Sequence, residues 1–382
     1  MISYRIVEGR KLRCGYTTGT CAAAAAKAAT IMLLTNMSLE KVEISTPGGE
    51  KLSLRVEECT IKECEAACAV RKDAGDDTDA TDGILIFAAA KRMPGRKGIE
   101  LAAGIGIGIV TQPGLACSVG MPAINPIPRK MITEAVSQAA HAHSCEEGIQ
   151  VTIFIPQGEE VAKKTFNSRL GILGGLSVLG TSGIVEPMSE EAMIKTMFAE
   201  MDVQKCKGNK DLLVFFGNYG QDFARDVLGL SIRDAVICSN FVGELLDYAV
   251  FKRFRSLFLV GHAGKLVKLA QGVMQTHSKY ADCRLQTFAL YALLAGADNQ
   301  TAYSIMKAAT TDAALGIIKE QGLEKQVTQS ICEKIDYYMQ QRVKGKLRTG
   351  ALMFSNMHGQ LGITIDSEKL LELQRQKTGG NI

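Results

Sequence analysis

The segment KDAGDDTDATDG sets five carboxylates, Asp73, Asp76, Asp77, Asp79 and Asp82, within ten residues. Acids this dense either solvate a turn or place an oxygen against a ligand or a transferred proton. Asp73 and Asp76 are the candidates for the second role. A calcium loop fails on spacing. With Asp77 as first ligand, Asp82 stands where the sharp-turn glycine belongs and Ala88 where the bidentate Glu belongs. The chain offers cations as well. LRCGYTTGTCAAAAAKAAT, residues 12–30, puts Arg13, Thr17, Thr18 and Thr20 directly before five alanines, Ala22 to Ala26. Thr18 or Thr20 caps the helix that follows, and its N–H groups and positive dipole end suit a carboxylate or phosphate, unless the threonines do no more than cap. Arg129 and Lys265 are further candidates for an anionic ligand, and His262 stands beside Lys265 in GHAGKL.

Glycines supply the second kind of chemistry, close backbone approach. NSRLGILGGLSVLGTSGIVEP, residues 167–187, carries Gly174 and Gly175 before an apolar run and Gly180, Thr181 and Gly183 after it. With Gly217 and Asn218 of GNYG and Asn240 of CSN, they read as a nucleoside-binding set at strand ends; otherwise they are plain turns. GIGIGIV is no dinucleotide fingerprint, because its third glycine comes too early and no helix follows. GHAGKL fails as a phosphate loop, because Gly261 and Gly264 are too close and Leu266 replaces Ser or Thr. His141, His143 and Cys145 end a helix without a fourth ligand nearby, so no metal is assigned.

The elements that must position these residues change character along the chain. Up to Pro156, short strands pair locally: a hairpin at Val42–Thr46 and Leu52–Val56, then strands at Cys68–Val70, Gly83–Ala88, Ile99–Ala103 and Gly106–Val110. A helix in PRKMITEAVSQAAHAH and a strand in GIQVTIFIP complete an α+β domain over residues 1–156. From 157 to 382, strand, glycine turn and helix repeat. They begin with a strand at Leu176–Leu179 and continue through DLLVFF, AVICSN and SLFLVG, with residues 285–345 mainly helical and late strands in ALMFS and LGITI. That rhythm predicts an α/β doubly wound, Rossmann-like C-terminal domain with ligands beyond the carboxyl ends of its strands.

Bulk composition excludes several classes. A net charge of +4 is too small for a nucleic-acid binder working by counterion release, and no recognition motif accompanies it. No apolar run approaches the ~18 residues that cross a membrane. The 11 cysteines include no CxxC pair, and residues 1–10 are not a signal peptide, so reduced thiols in the cytoplasm are expected. Glycine, 38 of 382 residues, exceeds the usual share of about 7%.

Five segments in series, LRCGYTTGTCAAAAAKAA, KDAGDDTDATDG, GMPAINPIPR, NSRLGILGGLSVLGTSGIVEPMS and GHAGKLVKLAQG, resemble the cobalt-precorrin-5B C1-methyltransferases of anaerobic cobalamin synthesis. Ser168 departs from the proline expected there. The resemblance implies methyl transfer from S-adenosylmethionine to C1 of a cobalt-bound tetrapyrrole, with cobalt entering only as part of the substrate. For such a substrate the roles follow from residue chemistry, not from the family: the N-terminal domain contacts the acid-fringed macrocycle through Arg13, Thr17, Thr18, Thr20 and Arg129, with Lys265 added. The C-terminal domain takes the methyl donor. Asp73 or Asp76 takes a proton, and His262 is a transient cobalt ligand. Neither nucleic acid nor membrane is a partner; a homo-oligomer, or passing contact with neighbouring enzymes of the pathway, is. A non-catalytic corrinoid or adenosyl carrier and a pathway reductase are the competing readings, the latter lacking its complete glycine motif.

Overall fold

Alanine is the strongest helix former, and the run Ala22–Ala26 forms the heart of an 18-residue helix, Thr18–Thr35. All five alanines are fully buried, so this helix lies inside the protein. The computed structural model describes residues 3–379. In it the chain divides into two units, Met1–Glu190 and Glu191–Ile382.

The first unit opens with β1 (Tyr4–Val7), β2 (Arg10–Arg13), β3 (Gly15–Tyr16) and α1, the alanine helix (Thr18–Thr35). The hairpin β4 (Lys41–Ser45) and β5 (Lys51–Arg55) follows, with its apolar residues alternating inward. Next come β6 (Glu57–Lys62), β7 (Glu65–Arg71), β8 (Leu85–Met93), β9 (Ile99–Ala103), β10 (Gly106–Ile107), β11 (Ile109–Val110), α2 (Pro126–Ala142) and β12 (Gly148–Phe154). Five of these form one sheet in the order β6-β7-β8-β12-β9, antiparallel except for the β12–β9 pair. α1 and α2 pack together, with α1 also against β7 and β8, and alanines fill the contact: Ala66, Ala88 and Ala90 from the sheet, Ala135 from α2. By length and mean hydropathy (1.2) α1 does reach membrane-spanning character, contrary to the reading of the sequence, but 78% of it is buried among these neighbours.

The first unit continues past the expected boundary at 156/157. After α3 (Gly158–Ala162), three two-residue strands return to it: β13 (Ile172–Leu173) pairs with β11, β14 (Gly175–Leu176) with β10, and β15 (Ile184–Val185) with β3. Residues 157–190 therefore belong with the N-terminal unit. The run Leu176–Leu179 is no strand of the second unit's parallel sheet; Leu176 instead pairs in parallel with Ile107 of the first unit. Gly175, just before the run, lets the chain lie against Gly106 and Gly108, so close that a Cβ on it would stand 2.3 Å from the Gly106 carbonyl oxygen.

The second unit runs α4 (Glu190–Cys206), β16 (Asp211–Phe215), α5 (Asn218–Asp226), β17 (Val236–Ile237), α6 (Val242–Phe251), β18 (Ser256–His262), α7 (Ala263–Leu266), α8 (Arg284–Leu294), α9 (Asn299–Met306), α10 (Thr311–Glu320), α11 (Glu324–Val343), β19 (Arg348–Ser355), β20 (Gly359–Ile363) and α12 (Ser367–Gly379). Its sheet, β17-β16-β18-β19-β20, is parallel apart from the last pair. Alternate residues feed two cores. Leu212, Val214, Leu257, Leu259, Ala351 and Met353 face α6, α8 and α11; Leu213, Phe215, Phe258, Val260, Leu352 and Phe354 face α5 and α12. Burial on both faces is why these strands read as unbroken apolar runs.

Candidate functional site

The acids of residues 73–82 knit their loop to the strand end at residues 13–16. Both Asp73 oxygens take the Arg13 guanidinium, at 2.5 and 2.7 Å, and Asp73 Oδ1 also accepts the Gly75 N–H at 2.8 Å. Asp76 Oδ2 accepts the Arg13 backbone N–H at 2.6 Å, and Asp82 that of Ala74 at 2.8 Å. The two backbones touch: Tyr16 N–H donates to Asp73 O and Asp76 N–H to Arg13 O. A Cβ on Gly15 would stand 2.3 Å from the Ala74 carbonyl carbon, which only glycine permits. Lys72, 2% exposed, closes the loop by donating to Asp79 at 2.6 Å. Arg13, helped by the Gly75 N–H, holds the Asp73 carboxyl below its usual range against the effect of burial. Asp73 is thus a fixed negative charge and a poor base, and Arg13 holds it with both terminal guanidinium nitrogens.

The threonines before α1 are likewise committed. Thr17, rather than Thr18 or Thr20, is the N-cap, its Oγ1 accepting the Thr20 N–H at 3.3 Å. Thr18 Oγ1 lies within 2.9 Å of the Leu179 N–H, and Thr20 Oγ1 donates to Gly183 O at 2.7 Å. The Gly19 N–H donates to Leu179 O at 3.0 Å, so the helix tip is filled by the chain's own residues 177–183. All three threonines are buried. Gly180 and Gly183, read from the sequence as part of another pocket, are the very residues packed on them; an added Cβ at Gly180 would meet Thr17 Oγ1 at 2.2 Å. Gly174 and Thr181 are exposed on the same segment, and Gly175 is buried. Arg129 is half-buried in the first turn of α2, next to Pro128, which packs over Gly19.

Two adjoining cavities lie beside this knot, of about 370 and 290 Å³, and share Tyr16, Arg55 and Asp73 in their walls. The sequence did not mark Arg55. It stands on the exposed face of an alternating strand, where arginine is ordinary.

In the second unit the carboxyl ends of the parallel strands gather the remaining candidates. Gly217 follows β16 with open space where a Cβ would be, and exposed Asn218 begins α5. Asn240, beyond β17, accepts the Thr276 hydroxyl at 3.2 Å. Lys265 Nζ reaches Ser239 O at 3.5 Å and lies 5.6 Å from the centre of the Phe216 ring. Burial lowers its pKa, with Cys238 opposing. His262 Nδ1 accepts the Gly264 N–H at 3.1 Å; burial lowers its pKa too, against the charge of Asp312. Beyond β19, Ser355 Oγ donates to Asp312 Oδ1 at 2.7 Å, and His358 Nε2 lies 3.2 Å from Asp312 O. The strand ALMFS was legible, but its last residue gave no sign of this cluster. Among the described residues, no group of three or more His, Cys, Asp or Glu is placed to hold a metal ion.

Comparison with known proteins places the chain. Residues 5–187 match the family model CbiD, nearly the whole first unit, and residues 275–364 match CbiD, C-terminal domain. A protein of Ruminiclostridium cellulolyticum named cobalt-precorrin-5B C(1)-methyltransferase is 47% identical over 94% of each chain. Proteins of the same name from Alkaliphilus metalliredigens and Photorhabdus laumondii are 41% identical over 99% of each chain and 42% identical over 96% of this chain and 97% of that one. A crystal structure of a cobalamin biosynthesis protein (cbiD) from Archaeoglobus fulgidus is 28% identical, covers 72% of this chain and 86% of its own, and has a TM-score of 0.39. With family models matching residues 5–187 and 275–364 and a relative 47% identical over 94% of this chain, the chain belongs to the CbiD family.

Proposed function

We infer that this chain methylates C1 of cobalt-precorrin-5B, giving cobalt-precorrin-6A, with S-adenosylmethionine as methyl donor. The supporting observation is the 47% identity over 94% of both chains to a protein named for that reaction. S-adenosylmethionine supplies a methyl group already activated on a sulfonium, so the protein's work is alignment and electrostatics. The cobalt is the substrate's own.

The second unit's strand ends suit the donor. Open backbone at Gly217, the side chain of Asn218 and the carboxamide of Asn240 are neutral donors and acceptors, the kind that hold a nucleoside where parallel strands end. Lys265, half-buried and short of acceptors, keeps its ammonium for a substrate carboxylate. In the first unit Asp73 contributes charge without acting as the base. Thr17, Thr18 and Thr20 hold residues 177–183 in place.

Incubation with S-adenosylmethionine and cobalt-precorrin-5B tests the assignment. The tetrapyrrole should gain one methyl group while S-adenosylhomocysteine is released. A carrier would bind and release none, and a reductase would change hydrogen content alone. Lys265→Met should raise KM for the tetrapyrrole about tenfold; an unchanged KM removes Lys265 from the site.

A further inference from the structure

The cations around the twin cavities of the first unit are spent, with one exception. Arg13 is forked onto Asp73, Lys72 is paired with Asp79, and Arg71 is divided between Glu57, at 2.8 Å, and Gly83 O, at 2.9 Å. The guanidinium of Arg55 lines both cavities and makes no hydrogen bond or ion pair among the described residues. Tyr16 stands in both walls as well, and its hydroxyl also makes no hydrogen bond among the described residues. Burial pushes that hydroxyl up to about 12, so it remains a donor at neutral pH. Glu50, in the wall of the smaller cavity, has its Oε2 buried without a hydrogen-bond partner among the described residues. A free arginine is ordinary on a surface. Around one pair of cavities stand an exposed arginine whose charge acts on Glu57, a phenol whose hydroxyl no described residue engages, and, at Glu50, a buried carboxylate oxygen left unpaired at a cost in stability.

We propose that these cavities form a carboxylate-binding subsite for the reaction's ligands, with the Arg55 guanidinium as the cation and the Tyr16 hydroxyl as the second donor. The proposal rests on the methyl-transfer reading above. A planar guanidinium matches a carboxylate in two-point geometry. Two ligands carry such a carboxylate: the macrocycle, on its acetate and propionate arms, and the methyl donor, on its methionyl tail. The macrocycle has several arms and so makes the greater demand for cations. Each cavity is of a size to take an arm and leave the ring outside.

Steady-state kinetics of the full chain with Arg55→Met, Arg55→Lys and Tyr16→Phe decide the matter. In R55M, KM for one ligand should rise at least tenfold with kcat within about twofold, because a charged hydrogen bond is lost from binding and nothing at the reacting atoms changes. R55K should recover part of the loss, and Y16F should raise the same KM severalfold. A rise for cobalt-precorrin-5B assigns the subsite to the macrocycle. A rise for S-adenosylmethionine, with weaker calorimetric binding of S-adenosylhomocysteine but not of its decarboxylated analogue, assigns it to the methionyl tail. If R55M and Y16F leave both KM values within twofold of wild type, the subsite is wrong. Failure of the wild type to transfer a methyl group counts against the functional reading instead. Absorbance titration of cobalt-precorrin-5B and calorimetry with S-adenosylhomocysteine, on wild type and R55M, then decide the subsite alone, equal affinity for each ligand overturning it.

Discussion

Gly180 sits at φ +136°, and the space its side chain would need is held by Thr17, the residue that caps α1. Gly180→Ala should therefore cost about 1–3 kcal/mol of stability through backbone strain and the clash, and Thr17→Ala about 1 kcal/mol through the lost cap. The two losses share one contact, so the double variant should cost less than their sum; additive urea midpoints would show that the residues do not press on each other. The same pair shows where sequence reading stops. Glycine and threonine types were legible as special, and so was a cap near residue 18. Which partner each would take was not, because Thr17 and Gly180 are brought together only by the fold.

Among elements, the loop of residues 72–83 carries a pH dependence whose sign follows from its ion pairs. Arg13 holds Asp73 below the usual carboxyl range, aided by Gly75. At Asp79 burial works the other way, yet the charge and hydrogen bonds from Lys72 and Thr81 outweigh it and the pKa again falls. A depressed native pKa means stability that is complete above the unfolded value, near 3.8, and lost as pH falls through the native one. Thermal melts should thus hold steady from neutral pH to about 5 and drop below 4. Asp73→Asn should lower the neutral melting temperature and shrink the acid drop. An unchanged acid limb in that variant would place the proton uptake elsewhere. The strands flanking this loop were visible in the sequence, from the hairpin at residues 42–56 to GIQVTIFIP, because period-2 alternation is a local signal. The acids were read as solvated or ligand-facing. Their actual use, tying two distant segments together, leaves no local trace.

At the level of the whole chain, the apolar clusters among the described residues each fall within one unit: residues 21–178 supply the cores of the first, 197–371 those of the second. A fragment of residues 1–190 should accordingly unfold in a single cooperative transition, and the fragment 1–156 should not, since it lacks the strands that pair with β3, β10 and β11. Calorimetry of the two fragments checks this, and a cooperative melt of the shorter one would restore the boundary at 156/157. The strand–turn–helix rhythm of the second unit marked its sheet plainly. It also drew residues 176–183 into the wrong company, because a two-residue strand with flanking glycines looks the same at either address.

The alanines of α1 have a last consequence. Being methyl-sized and wholly enclosed, they act as a spacer of fixed thickness between α2 and the sheet. Enlarging one, as in Ala24→Leu, would wedge those layers apart at about 1–3 kcal/mol and carry the displacement to the Thr17 end of the helix. The most recognisable letters of this sequence therefore record a distance inside the protein, and any relative that keeps them is first of all keeping that gap.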